Sequence, residues 1–247
     1  MDTPDSAYDV AVLDGKAYVT DTDSGLQVID ISDPEDPIII GSVDTPGLAA
    51  KVTVVNGKAY VADGESGLQV IDITDPINPT VIASVDPPGF ASSVTVSDGK
   101  AYVTNISFDE HDWTGLQVIN ISDLTNSKVT GSADTPDFAS DVTISDGKAY
   151  VADGESGLQV IDISDPTHPI IIGFADTPGY ARSVTVSDGK AYMADGDSGL
   201  QVIDISDPAH PIIIGSVDTP GDALCLAVSE DMAYVVSAEF LFSIAFP

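Results

Sequence analysis

Cysteine is nearly absent. The single Cys225 excludes an internal disulfide framework and any four-cysteine zinc site. Basic residues are almost as scarce, with 8 Lys and Arg against 40 Asp and Glu and a formal charge of −32. A phosphate backbone would be repelled, so nucleic acid is excluded as a partner through any basic patch. Docking on anionic lipid is disfavoured for the same reason. No apolar run nears the ~20 residues of a helical membrane span, so membrane insertion is not expected. The opening Met1-Asp-Thr-Pro-Asp5 has no basic region and no apolar stretch, so no signal peptide is expected. No segment sustains a helical hydrophobic period.

What is present is aspartate and repetition. The acids divide into 34 Asp and 6 Glu. A merely solvated surface would use both, whereas a short carboxylate bonds its own backbone in turns. Gly-Lys-Ala-Tyr recurs at Gly15, Gly57, Gly99, Gly147 and Gly189, and a degraded copy starts at Asp231. The steps are 42, 42, 48, 42 and 42 residues, the long one carrying a six-residue insertion. Lys58 to Ile73 and Lys148 to Ile163 are identical.

Each unit reads as four short strands. In the second unit these are Ala50 to Val55, Lys58 to Ala62, Leu68 to Ile73 and Thr80 to Val85. Asn56-Gly57 supplies the positive φ angles of a two-residue hairpin. The prolines of Thr74-Asp-Pro-Ile-Asn-Pro79 break the third strand, because they lack ladder donors. Four antiparallel strands in such a period match a propeller blade. Apolar residues on both strand faces suit sheets stacked on each side. The expected fold is therefore all-β, a six-bladed β-propeller of four-stranded antiparallel blades. One domain spans 1–247, with repeats at about 5–46, 47–88, 89–136, 137–178, 179–220 and 221–247. The last blade is expected to hold three strands, Asp222 to Val228, Met232 to Val236 and Phe242 to Phe246. Asp2-Thr-Pro4 matches the connector tail Asp218-Thr-Pro220. Either the last blade is three-stranded or the chain is a piece of a longer protein; the second is the expectation. An incomplete blade leaves a strand edge open to pairing with another chain.

The third strand, Leu26-Gln-Val-Ile-Asp30, returns at 68–72, 158–162 and 200–204, with Asn120 replacing Asp in the third unit. Together with the preceding Tyr-Val-Ala-Asp and the following Ile-Ser-Asp-Pro, it resembles the LVIVD repeat family. That resemblance implies a β-propeller found largely in bacterial and archaeal surface or secreted proteins, hence an extracellular or cell-surface location. It carries over no catalytic motif.

In a propeller, the turn between strands two and three and the connector between blades share one end. Five of the cations, Lys16, Lys58, Lys100, Lys148 and Lys190, fall at the opposite end. The connector end holds acidic turns and should carry a focused negative potential. Near-identical copies also differ most there. The residue after the Thr-Pro-Gly connector is Ser6, Leu48, Phe90, Phe138, Tyr180 or Asp222, and close behind stand Lys51, Arg182 and Cys225. The insertion adds His111 and Trp113. Leu48, Lys51, Phe90, Phe138, Tyr180, Arg182, His111 and Trp113 are therefore the candidate ligand-binding residues, by stacking and hydrogen bonding. The competing reading is that the rings pack between blades.

Asp21, Asp23, Asp195 and Asp197 offer alternating oxygens for calcium, but the loops lack the bidentate Glu of an EF-hand, and a hydrogen-bonded turn is the favoured reading. His168 and His210 align with Asp36 and Asn78, which indicates exposed turns. Cys225, on an apolar strand, is expected to be a buried small hydrophobe. No base, nucleophile and orienter can be assembled, so neither a catalytic residue nor a cofactor is assigned. The leading expectation is a non-enzymatic binding or adhesion module for a glycan, peptide or surface protein, plausibly basic. The alternatives are a hydrolase or lyase using carboxylates at the channel mouth, and a calcium-rigidified spacer.

Overall fold

The computed structural model describes residues 2–107, 114–229, 232–237 and 240–245. The fold is an all-β propeller of six blades. Among the described residues there is no α-helix, only a 3-10 turn at Leu124–Asn126. Blade 1 holds Asp9–Leu13, Lys16–Thr20, Leu26–Asp30 and Ile38–Val43; blade 2 holds Lys51–Val55, Lys58–Ala62, Leu68–Asp72 and Thr80–Val85. Blade 3 holds Phe90–Ser97, Lys100–Ile106, Gly115–Asn120 and Lys128–Asp134. Blade 4 holds Ala139–Ser145, Lys148–Asp153, Leu158–Asp162 and Ile170–Ala175. Blade 5 holds Ser183–Ser187, Lys190–Ala194, Leu200–Asp204 and Ile212–Val217. Blade 6 has three strands, Ala223–Ser229, Met232–Ser237 and Leu241–Ala245.

Sequential strands pair as antiparallel neighbours, and the hairpins are set by local chemistry. Asp14-Gly15, Asn56-Gly57, Asp98-Gly99, Asp146-Gly147 and Asp188-Gly189 all have two consecutive positive φ angles, between 48° and 72°. That is the two-residue turn whose twist matches the flanking strands. It fixes the register, for example Val55 opposite Lys58 and Val52 opposite Val61. One residue of slip would turn every side chain to the other face.

By compactness the chain divides into two units, residues 1–113 with 117–130, and 114–116 with 131–247. In the first, Tyr18, Leu26 and Val28 of blade 1 pack on Val52, Ala59, Val61 and Ile71 of blade 2. Tyr60, Leu68 and Val70 of blade 2 pack likewise on Val94, Ala101, Val103 and Ile119 of blade 3. In the second, Tyr150, Leu158 and Val160 meet Val184, Ala191, Met193 and Ile203, and Tyr192, Ala194 and Leu200 meet Ala223, Ala233 and Val235. Each Leu in these seams is wholly buried, contributing about 2–3 kcal/mol of transfer free energy.

Cys225 departs from expectation: it is exposed. Its register position in blade 6 matches Asp9 and Asp141, which reach the following blade. An apolar strand therefore does not by itself mean a buried thiol.

Candidate functional site

The connector end is built around a carboxylate that closes strand two. Asp63 is fully buried; it accepts a hydrogen bond from the Thr45 hydroxyl at 2.6 Å and from the Gly47 N–H at 2.9 Å. Asp195 repeats this with Thr177 at 2.6 Å and Gly179 at 2.9 Å. Asp21 accepts from the Asp5 N–H at 2.9 Å and Asp153 from the Asp137 N–H at 3.2 Å. Each thus ties down the connector entering its own blade. Burial raises the pKa of Asp63 and Asp195, and takes that of Asp153 to about 6. The Thr-Pro-Gly connector and the acidic turn are therefore one locked structure.

Two connectors differ chemically. Asp5 and Asp137 stand where Gly47 and Gly179 stand elsewhere. The Asp5 carboxylate accepts from the Thr22 hydroxyl at 2.9 Å and the Asp23 N–H at 3.2 Å, and the Asp137 carboxylate accepts from the Glu155 N–H at 2.6 Å. The Thr22 bond holds Asp5 below the usual carboxylate range. Both carboxylates cap the neighbouring acidic turn. Sequence reasoning missed them; the signal was the substitution of Asp for Gly in two of six otherwise repeated connectors.

In the first unit, Phe90 and Leu48 flank Gly64. A Cβ on Gly64 would lie 2.8 Å from the Phe90 ring and 3.4 Å from the Leu48 side chain. Leu48 is exposed and Phe90 half-buried. Lys51 lies 4.0 Å from Asp9, whose other oxygen accepts the Val52 N–H at 3.0 Å, so this pair links blades 1 and 2. Asp23 and Glu65 are exposed at the turn tips.

In the second unit, Tyr180 lies across Gly154, whose notional Cβ would be 3.2 Å from the ring and 2.5 Å from the Asp137 carboxylate. Arg182 stacks on Tyr180, 5.1 Å from the ring centre, and reaches within 3.9 Å of Asp222. Burial, with Asp137 nearby, raises the Tyr180 phenol pKa. Phe138 is half-buried, and its carbonyl accepts from the Ser140 hydroxyl at 3.2 Å. Asp141, aligned with Asp9, accepts from Ser183 at 2.8 Å and the Val184 N–H at 3.1 Å. This unit brings Tyr180, Arg182 and Asp222 together as a half-exposed aromatic, cationic and acidic cluster. It can present a ring face, guanidinium donors and carboxylate acceptors to one ligand.

Phe90 and Tyr180 therefore rest on glycines of the acidic turns, with part of each left accessible. His111 and Trp113 lie outside the described residues. Asp23 and Asp197 are exposed, while Asp21 and Asp195 are committed to the connectors. Among the described residues, no three His, Cys, Asp or Glu side chains gather as metal ligands would. His168 and His210 are exposed turn residues beside Asp165 and Asp207, at 3.2 and 3.0 Å.

The LVIVD repeat family matches five times, over residues 4–45, 46–87, 88–135, 138–177 and 178–219. No curated protein matches the sequence. Among solved structures, the chain is similar to the crystal structure of the computationally designed Ika8 protein. The TM-score is 0.75 at 8% identity, covering 98% of this chain and 71% of that one, a likeness of fold alone.

Proposed function

The chain belongs to the LVIVD repeat family, and on that premise we propose that it is a non-catalytic binding module whose connector end takes a cationic partner. The observation that carries this reading is where the copies diverge. The hairpins and seams repeat almost unchanged, while Leu48, Phe90, Phe138, Tyr180 and Asp222 vary on one register position. A repeat that served only as scaffold would have no reason to vary there. The acidic turns add the negative charge of exposed Asp23 and Glu65 in the first unit and of exposed Glu155 and Asp197 in the second. Such a field concentrates cationic ligands and speeds their encounter.

The partner class is a lysine- or arginine-rich segment of a surface protein, held by the carboxylates of a unit and stacked on that unit's ring, Phe90 in the first or Tyr180 in the second. A basic glycan would use the same groups. A surface or secreted setting fits such a partner. The test is titration of a fluorescent Lys/Gly copolymer peptide into the protein and into Phe90→Ala and Tyr180→Ala. The expected result is binding that weakens with salt and falls several-fold in each variant. Undiminished binding in both variants removes the site; no binding of the peptide or of a cationic glycan array removes the reading.

A further inference from the structure

Between blades 4 and 5, both in the second unit, a cavity of about 460 Å³ opens at the end that carries the first hairpins. That lies within the ~300–1,000 Å³ of pockets that take small molecules. The repeats show why it is open. Ser145 stands opposite Lys148 as Val55 stands opposite Lys58 in blade 2. Pro208 follows Asp207 as Leu124 follows Asp123 in blade 3. Val55 and Leu124 pack against the core of the seam between blades 2 and 3. Ser145 and Pro208 line the cavity instead, so a hydroxyl and a short ring stand where two aliphatic chains would lie.

The lining mixes donors and acceptors that the fold leaves underused. Tyr150 lines the cavity and is 3% exposed. Burial, with Asp146 nearby, raises the pKa of its phenol, which therefore stays a donor. The Lys148 ammonium donates to the Asp146 carbonyl at 3.2 Å and has no carboxylate within 4.0 Å among the described residues. The carboxylates of Asp146 and Asp188 accept long bonds from Ser145 and Ser187, at 3.5 and 3.4 Å. Val186 and Ile205 supply an apolar wall. We propose that this cavity binds a neutral sugar residue, free or at the end of a glycan. Its hydroxyls accept from Lys148 and Tyr150 and donate to Asp146 and Asp188, and its C–H face rests on Val186 and Ile205. A hydroxyl both donates and accepts, so a ring of them serves both kinds of group. An anion would meet two carboxylates beside one ammonium, and a simple cation would leave the Lys148 and Tyr150 donors unpaired. A purely apolar ligand would strip water from all four groups and return nothing.

Amide chemical-shift titration of the whole chain tests this, with glucose, galactose and mannose and their methyl glycosides as probes, and glucuronate and leucine as controls. At least one hexose should saturate with a Kd of about 1 mM, the range of small polar ligands. Equal binding of its methyl glycoside would identify a glycan end as the source, and its loss a free sugar. Tyr150→Phe removes one oxygen and should weaken binding about 3- to 10-fold. Lys148→Met should do the same; Met232 already stands at that register position in blade 6. Ser145→Val with Pro208→Leu rebuilds the filled seam of blades 2 and 3 and should abolish binding, with circular dichroism as the check on folding. Should that double variant unfold, Tyr150→Phe and Lys148→Met decide. Phe90→Ala and Tyr180→Ala, at the connector end, should leave sugar binding unchanged, so the two sites fail or stand separately. No saturable binding of any hexose overturns the proposal. Binding that is undiminished in Tyr150→Phe and Lys148→Met, or in a folded double variant, also overturns it, because the sugar then sits elsewhere. Tighter binding of glucuronate or leucine than of the hexoses overturns the ligand class.

Discussion

Replacing Asp153 with Asn should make the protein's stability less sensitive to pH between 7 and 5. Asp153 is fully buried at the end of its strand, and burial takes its pKa from 3.8 to about 6. An acid whose folded pKa lies above its unfolded one takes up its proton first in the folded chain. Its stabilising contribution is complete below 3.8 and is lost as pH rises through about 6. The full gap corresponds to about 3 kcal/mol at 1.36 kcal/mol per pH unit. Between pH 7 and pH 5 only part is realised, about 1.3 kcal/mol, because proton uptake has just begun at pH 7. For a chain of this size that is roughly 3–5 °C in melting temperature. Lowering pH also relieves general repulsion among carboxylates, so the wild type alone is not diagnostic. The comparison with Asp153→Asn is, because Asn cannot titrate and Asn105 already holds the matching buried position in blade 3. Thermal melts of both proteins at half-unit steps should show a shallower slope in the variant. Equal slopes, or a wild type that loses stability from pH 7 to pH 5, would refute the argument.

Asp195→Ala strands the buried Thr177 hydroxyl and the Gly179 N–H and should cost about 2–4 kcal/mol by denaturant titration; Asp195→Asn should stay within ~1 kcal/mol, since the amide can serve both groups. Gly64→Ala combines a φ of +57° with a clash against Phe90 and should cost about 1–3 kcal/mol. Adding Phe90→Ala should recover the steric part, and strict additivity in the double-mutant cycle would refute the ring's placement. Calcium or chelator should leave the melting temperature unchanged to within ~1 °C, since Asp21 and Asp195 are committed to connectors; a clear rise with calcium would show that the turn tips gather an ion. Below pH 3.8 the protein should lose stability, because turn hydrogen bonds hold Asp72, Asp123, Asp165 and Asp207 below their usual range. Far-UV dichroism from pH 4 to pH 2 checks this; an unchanged melt across that interval would contradict it.

The blades were legible because their signals are local. Asn56-Gly57 can form one kind of hairpin, and the prolines around Ile77 end one strand before the next begins. Even the three-strand blade 6 could be read, since the degraded repeat copy starting at Asp231 keeps the spacing of the others. The acidic turns were harder. Asp63 and Asp195 look like ordinary Asp-Gly turn residues, yet they are wholly buried because a connector closes over them. Asp5 and Asp137 read as variants of a glycine, and only the folded connector shows their carboxylates capping the adjacent turn. Lys51 belonged to the expected recognition rim, but its ammonium leans toward Asp9 across a seam. Cys225 was misjudged because a strand's apolar character does not by itself decide which of its side chains are covered.

By itself, the order of residues settled the period, the four-strand unit, the turn types and the strand register, since these depend on φ preferences and on side chains alternating between neighbours a few positions apart. Only the tertiary structure decided which carboxylates lost their water and which rings lay over which glycines. Those outcomes depend on groups brought close from about 16 to 43 positions away, and burial is a property of the assembled neighbours rather than of the residue that is buried.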